Sequence, residues 1–335
     1  MPTLLMPYIE RMVRLIRIVR CGLLTFSGVL LVFLWLCYWR RFDFCTAVTV
    51  YPPWCWAVGG LVLAALGFSR RLRAISFALV AAWLGFVLLS ADSPSSLVRA
   101  WSPWPPLNQS FRVVTLNCAG SGEAVHEVTA LEPDIILIQE SPRPEELAAV
   151  AEKLYGAGSH VYRGPDASIV ARGKVSPVEV PPECRGNVVH ARVEFEEATI
   201  EVISLRLMPS AFRMDLWSPR CWEAFRENRE RRRRQLNKIA KYVETIPADR
   251  PLIFGGDFNC PPGDAVLRLL RPRLTDSFTV AGRGWGGTII NDWPAIRIDQ
   301  IWTSRQLAAV AVVARKTRFS DHRMVVGDFL LVSTE

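Results

Sequence analysis

Apolar positions are distributed unevenly along this chain, and their spacing changes character near Ala91. Before that point, Cys21–Tyr38, Phe44–Ser69 and Ala74–Ala91 carry no charged side chain. Leu, Val, Phe and Trp fall on every face a helix would have, and arginines cluster at the segment ends, a pattern of membrane spans rather than buried soluble helices. A helix of ~20 apolar residues crosses a bilayer. Pro52-Pro53 interrupts the middle stretch, so the predicted spans lie at about residues 21–38, 52–68 and 74–91. The cationic start followed by an apolar run also has the outline of a secretory signal. No small-residue cleavage site precedes Tyr38-Trp39-Arg40-Arg41, and two further apolar runs follow, so the first run reads as an uncleaved span.

Residues 92–110 are rich in Ser and Pro and predict a stiff extended linker. From Phe111 onward, short apolar runs alternate with turn residues. Strands are predicted at Arg112-Val-Val-Thr-Leu, Asp134-Ile-Ile-Leu-Ile, Ala198-Thr-Ile-Glu-Val-Ile-Ser-Leu, Pro251-Leu-Ile-Phe, Arg297-Ile-Asp-Gln-Ile-Trp and Met324-Val-Val-Gly-Asp-Phe. Helices are predicted over Pro144–Tyr155 and Trp217–Tyr242. Strands outnumber helices to the end of the chain, which implies an α+β sandwich with helices outside paired sheets.

The net charge of +8 would suggest a nucleic-acid surface if it were spread evenly. It is not: residues 1–91 hold nine arginines against Glu10 and Asp43, and the remainder is close to neutral. A basic groove is therefore not established for the downstream domain. Eight cysteines divide equally between the two regions, with no C-x-x-C spacing to support a zinc or thioredoxin-like site. Cys184 and Cys221 would be the pair to bridge in an oxidising compartment.

Most of the notable polar residues follow strand ends: Asn117, Glu140, Asp257 and Asn259, with Asp321-His322 just ahead of Met-Val-Val. Strand ends form a rigid rim on which side chains converge, and oxygen donors of this kind suit Mg²⁺ or Mn²⁺ better than zinc. The landmarks Leu116-Asn117, Ile138-Gln139-Glu140, Gly255-Gly256-Asp257-Phe258-Asn259, Arg297-Ile298-Asp299 and Ser320-Asp321-His322 occur in that order. In this the chain resembles the endonuclease/exonuclease/phosphatase superfamily over roughly Phe111–Leu331.

The resemblance implies a four-layer α/β/β/α sandwich, an α+β fold, preceded here by three transmembrane helices. The organisation expected is an anchor at 1–91, a linker at 92–110 and a catalytic domain at 111–335. It implies a divalent-metal-dependent phosphoester hydrolase, with Asn117 and Glu140 holding Mg²⁺ or Mn²⁺ and Asp321 reaching the ion from the other side. Asp257 would activate the attacking water, Asn259 would position it, and His322 held by Asp299 would stabilise the transition state. His126, His160 and His190 match no landmark and read as surface or satisfied core residues.

Two further positions bear on the chemistry. Arg232 and Gln235 echo an R-x-x-Q pattern of the family, but within the run Arg231–Arg234 they read as a solvated helix face. Many family members carry a His at the third position of a Ser/Thr-x-His-Leu element, where this chain has Ser204-Leu205-Arg206-Leu207. Arg206 can neutralise phosphate charge but cannot deliver a proton. The expected partners are a phosphoester, either a lipid head group or a nucleic acid, and the bilayer itself; no protein partner is inferred. The rival readings are a nuclease and a catalytically silent membrane-bound binding domain, the second favoured by Arg206 and opposed by the otherwise complete residue set.

Arg11, Arg14, Arg17 and Arg20 precede the first span, and Arg70, Arg71 and Arg73 lie between the second and third. They outweigh Arg40, Arg41 and Arg99 on the other side, so the N-terminus is expected in the cytoplasm and the downstream domain outside, in the periplasm of a Gram-negative cell. Alkaline phosphatase fused after Leu331 is expected to be active. A silent fusion, paired with fluorescence from a cytoplasm-dependent reporter at the same junction, would reverse this orientation.

Overall fold

The computed structural model describes residues 6–106, 109–158, 160–195, 198–211 and 213–332. Residues 107–108 of the predicted linker and 333–335 of the predicted domain lie outside the described residues. The chain forms two compact units, Met1–Ala91 and Asp92–Glu335.

The first unit contains α1 (Met6–Arg40), α2 (Thr46–Thr49), α3 (Pro53–Leu66) and α4 (Arg73–Ser90). Tyr8–Arg40 and Arg73–Ser90 are each long and apolar enough to cross a membrane. The expected middle span differs: α3 has 14 residues, about 21 Å of helix, which is shorter than the hydrocarbon core. Only with the piece Asp43–Thr49, bent from it by 72°, does it reach span length. Pro52 and Pro53 set that break, because neither offers the N–H that would continue a helix. The helices are tied through Ser27, whose Oγ donates to Gly60 O at 3.0 Å and accepts from Trp83 Nε1 at 3.0 Å. Glycine is required at 60, since a Cβ there would lie 2.0 Å from the Trp83 ring.

The second unit opens with α5 (Pro94–Arg99), which corrects the expectation of a wholly extended linker. Proline is welcome in the first turn of a helix, where its missing N–H has no partner to lose. The helix is anchored: Ser96 Oγ donates to Gly284 O, Gly284 N donates to Ser96 O, and Arg99 Nε donates to Gly282 O at 2.8 Å.

Twelve strands follow among the described residues: β1 (Phe111–Asn117), β2 (Ile135–Gln139), β3 (Val161–Arg163), β4 (Ala167–Ala171), β5 (Lys174–Val178), β6 (Val188–Phe195), β7 (Ala198–Arg206), β8 (Leu252–Asp257), β9 (Thr275–Asp276), β10 (Asp299–Thr303), β11 (Leu307–Arg315) and β12 (Met324–Leu331). They make two six-stranded sheets, ordered β11-β12-β1-β2-β4-β3 and β5-β6-β7-β8-β10-β9. The helices are α6 (Gly122–Glu127), α7 (Pro144–Tyr155), α8 (Pro219–Thr245) and α9 (Ser277–Ala281).

Side-chain alternation along each strand divides the apolar residues into layers. Phe111, Val113, Ile135, Leu137, Val202, Ile253 and Ile301 fill the space between the sheets. Their neighbours of opposite parity, Val114, Leu116, Ile136 and Ile138, pack with Leu147 and Val150 of α7 on one outer face. Ile203, Leu205, Leu252, Phe254 and Trp302 pack with Leu236, Ile239 and Val243 of α8 on the other. This is the expected order of layers, helix, sheet, sheet, helix. Cys184 and Cys221 are buried and unbridged.

The buried stripe of α8 carries two arginines, Arg229 and Arg232, among its apolar residues. Arg229 is fully buried and donates through Nε to Asp264 Oδ1 at 3.0 Å. Breaking such a pair from one side costs about 3–5 kcal/mol, because the remaining charge stays buried. Arg229→Ala is expected to lower Tm by roughly 6 °C or more, whereas Arg226→Ala on the exposed face leaves it unchanged. Calorimetry of both variants measures the difference.

Candidate active site

The parity that fills the inter-sheet core also aims the polar residues. Phe111 and Val113 point inward, so Thr115 and Asn117 on the same strand do too. By the same count Gln139, Ser204, Arg206, Asp257 and Asp299 take the inward positions at one end of their strands. Register then aligns them: Asn117 lies opposite Gln139 in one sheet, and Arg206 lies opposite Asp257, which lies opposite Asp299, in the other. The apolar gap thus ends in a polar layer.

Several contacts cross that gap. Asn117 Nδ2 donates to Glu140 Oε1 at 3.0 Å in its own sheet and to Asp257 Oδ2 at 3.1 Å across it. Arg206 Nη2 donates to Glu140 Oε1 at 2.6 Å, and its Nη1 to Asp166 Oδ2 at 3.1 Å. His322, on the turn before β12, pairs Nδ1 with Asp299 Oδ2 at 2.9 Å. A fully buried relay lies beneath, in which Gln139 Nε2 donates to Ser204 Oγ at 3.1 Å and Gln139 Oε1 accepts from Thr115 Oγ1 at 3.2 Å.

The loops leaving the strands are bent to fit. Glu140 and Asn259 have φ of 46° and 50°, left-handed conformations that non-glycine residues adopt only when their surroundings impose them. Gly256, at φ 143°, sits where a Cβ would lie 1.9 Å from Leu205 O, so only glycine lets β8 approach β7. Asn259 then turns back, its backbone N donating to Asp257 Oδ1 at 2.9 Å and its Nδ2 to Asp257 Oδ2 at 3.0 Å. Both oxygens of Asp257 are therefore held by N–H donors.

Burial first, and then the charge of Asp299, push the Asp257 carboxyl up to about 7, against the opposing pull of His322 and the two asparagines. For His322 burial alone would lower the pKa. The charge and hydrogen bond of Asp299, with further help from Asp257 and Asp321, outweigh it and raise the imidazole to about 9. Arg206 is raised as well, since Asp166, Glu140 and Asp257 together exceed its desolvation, so it remains a cation and not a proton donor.

Asp257, Asp299 and His322 offer ligand atoms within 4.8 Å of one another, a group that could hold a metal ion. Two carboxylate oxygens are uncommitted. Asp299 Oδ1 is buried without a hydrogen-bond partner, and Glu140 uses Oε1 for both its contacts, leaving Oε2. Hard oxygen donors beside an acid-rich cluster fit a Mg²⁺- or Mn²⁺-like ion. Asn117 is arranged differently from the expectation, with its amide NH₂ towards the carboxylates and its Oδ1 accepting from Ala119 N at 3.0 Å. Asp321 is exposed and stands outside the group of three, acting on His322 through its charge.

Arg232 is not solvated, contrary to the reading of its charged run. Its Nη2 donates to Met208 O at 3.2 Å, and Gln235 Oε1 accepts from Met208 N at 2.9 Å, so together they fix the chain just beyond Arg206. The helical stripe through Phe225, Arg229, Arg232 and Leu236 was the available signal. Asp166 was also missed. Asp166 is an isolated acid in a loop, and Thr288 accepts from the backbone N–H groups of Ile298 and Asp299. His126, His160 and His190 are each satisfied away from the site, His190 between Glu201 and Tyr242.

Among solved structures, the chain is similar to an endonuclease/exonuclease/phosphatase protein from Beutenbergia cavernae, at 17% identity and TM-score 0.51 over 67% of this chain and 72% of that one. It is similar to a functionally unknown conserved protein from Enterococcus faecalis, at 15% identity and TM-score 0.51, covering 66% of this chain and 100% of the other. A truncated Caenorhabditis elegans TDP2 gives 17% identity and TM-score 0.50, with coverage of 67% and 98%. At such identities these likenesses concern the fold alone. No curated protein matches the sequence significantly. The family description Endonuclease/Exonuclease/phosphatase matches residues 114–322, which runs from β1 to His322 and takes in every landmark of the site from Asn117 onward. On that match, with a fold in agreement, the chain belongs to the endonuclease/exonuclease/phosphatase family.

Proposed function

We propose that this protein is a membrane-anchored, divalent-metal-dependent phosphoester hydrolase, in which water attacks phosphorus and the bond to the leaving-group oxygen breaks. The observation that carries this reading is the rung Arg206–Asp257–Asp299 facing Asn117, Glu140 and His322 across the sheet gap. Asp257 is oriented through both oxygens and has a pKa near that of a working base, about 7, which suits it to take the proton of the attacking water. Asn117 and Asn259 set the direction of its lone pairs.

His322 is fixed at Nδ1 by Asp299 and presents Nε2 as an imidazolium donor to a phosphoryl oxygen. Arg206 supplies a second fixed cation at the mouth of the site. Glu140, through Oε2, and Asp299, through Oδ1, are the residues that would hold the metal, with Asn117 orienting Glu140 and Asp321 adding negative charge at the rim. A bound ion of this class polarises a phosphoryl oxygen and neutralises the charge that develops on it. The near-neutral downstream domain and the apolar N-terminal helices favour a small or lipid-borne phosphoester over polymeric DNA.

Hydrolysis of an aryl phosphodiester by the full chain is expected to stop in chelator and return with Mg²⁺ or Mn²⁺. Asp257→Asn should lower kcat by ~10²–10⁴-fold. A carboxyl whose folded pKa exceeds its unfolded value costs stability progressively as pH rises from the unfolded value to the folded one, so wild-type Tm should fall between about pH 4 and about pH 7, a slope that Asp257→Asn should lack. Activity should climb as Asp257 ionises near pH 7 and decline as His322 loses its proton near pH 9. Full activity in chelator together with an active Asp257→Asn enzyme would end this reading.

The position of Arg206 yields a separate expectation. Arg206→Ala should slow aryl and alkyl phosphodiesters alike, by ~10²–10³-fold for loss of one transition-state donor. Arg206→His should recover alkyl substrates preferentially, because an imidazole can protonate a poor leaving group. Steady-state rates on both substrate classes read this directly, and unchanged kinetics in Arg206→Ala would remove the residue from the active site.

A further inference from the structure

The loop 282–298 connects two parts of the second unit that otherwise have no reason to be linked. At its start it receives α5: Ser96 and Gly284 exchange two hydrogen bonds, of 2.9 and 2.7 Å, and Arg99 bonds the carbonyls of Gly282 and Thr279. Arg283 bonds the Ser102 carbonyl and stacks over Trp104 at 4.9 Å. At its other end the loop holds the catalytic pair. Thr288 caps the backbone of Asp299, Ile289 bridges to His322, and Asn291 N donates to Asp321 O at 2.7 Å.

This short stretch of chain also carries much exposed apolar surface. Trp101 is 92% exposed and Trp293 87%, with Val98, Trp285 and Ile290 exposed beside them. Hydrogen bonds tie the segments that carry them. Trp285 follows the α5-bound Gly284 and donates through Nε1 to the carbonyl of Pro294, the residue next to Trp293. The acid of the loop, Asp292, is paired with Lys316. Tryptophans so exposed favour the boundary between water and lipid, where the ring is buried and the N–H stays hydrated.

Chain connectivity indicates what covers them. The apolar helix α4 ends at Ser90 and α5 begins at Pro94. The four residue steps from Ser90 to Pro94 span at most about 14 Å. The head-group layer of a bilayer is itself ~5–8 Å deep on each side. If Ser90 ends a membrane crossing, the chain holds the start of α5 within that distance of the hydrocarbon edge, at the membrane surface.

We propose that α5 and loop 282–298 form a membrane-seating surface, with Val98, Trp101, Trp285, Ile290 and Trp293 in the head-group layer, and that the phosphoesters hydrolysed are those of lipids in that layer. The inference rests on the membrane-anchored hydrolase reading given above. It adds a surface and a substrate class. Because the loop that seats on lipid is the loop that caps Asp299 and bridges to His322, the active site is brought to the phosphates without the lipid leaving its leaflet.

The test uses the full chain in nanodiscs of phosphatidylethanolamine and phosphatidylglycerol, with benzoylphenylalanine introduced in place of Trp293, of Trp101 or of Lys174. Lys174 is an exposed control at the opposite end of the strands. On illumination, phospholipid adducts detected by mass spectrometry should form at the positions of Trp293 and Trp101 several-fold above those at Lys174. Equal yields at all three, or adducts to protein in place of lipid, overturn the proposal. Hydrolysis of a soluble aryl phosphodiester is measured on the same discs before illumination. Lipid adducts without hydrolysis leave the seating surface standing and sink the hydrolase reading, whereas hydrolysis without lipid adducts sinks the seating surface alone.

Discussion

Polar contacts that span the gap between two sheets, among them Asn117 to Asp257, Glu140 to Arg206 and Asp299 to His322, hold the polar end of this domain together. Their geometry is not set by the loops that bear them but by the apolar core behind. Ile135, Leu137, Val202, Ile253 and Ile301 fix the separation of the sheets, and the register of β7, β8 and β10 aligns Arg206, Asp257 and Asp299 in one row. A shift of one residue in any of these strands would turn its site residue out of the gap. Apolar burial stabilises the sandwich, and the acid cluster draws on that stability. The raised pKa of Asp257 is the direct expression of that opposition.

Much of this was legible in the sequence. The six strands predicted from apolar runs all exist, and each of the five landmarks lies at the end of one or beside it. The runs that escaped notice have physical reasons for doing so. β11 reads Leu-Ala-Ala-Val-Ala-Val-Val-Ala-Arg, with small residues that carry little strand signal, and β5 carries Pro177, which an edge strand tolerates because that N–H faces no partner. Local pattern also concealed Arg232, because a run of four arginines looks solvated until the helical stripe is followed over several turns. Asp166 had no pattern at all. Its importance arises only when β4 and β7 bring it to Arg206.

The Arg206 substitution is easier to understand in this setting. Glu140, Asp166, Asp257 and Asp299 crowd a small volume, and a neutral imidazole at position 206 would leave that charge to His322 alone. A permanent cation bonded to Glu140 and Asp166, with its Nε 4.0 Å from Asp257, relieves part of the repulsion before any ligand arrives. Position 206 thus contributes to keeping the acids together.

The order in which the chain is made also matters. Ser320 Oγ bonds the backbone carbonyl of Asn117, 203 residues away, and His322 reaches Asp299 from the turn before the final strand. Nothing resembling the complete site can exist on a nascent chain that stops short of that turn. Contacts of such long range form late, after the sheets have met, so the residues of the site come together only when the last strand closes.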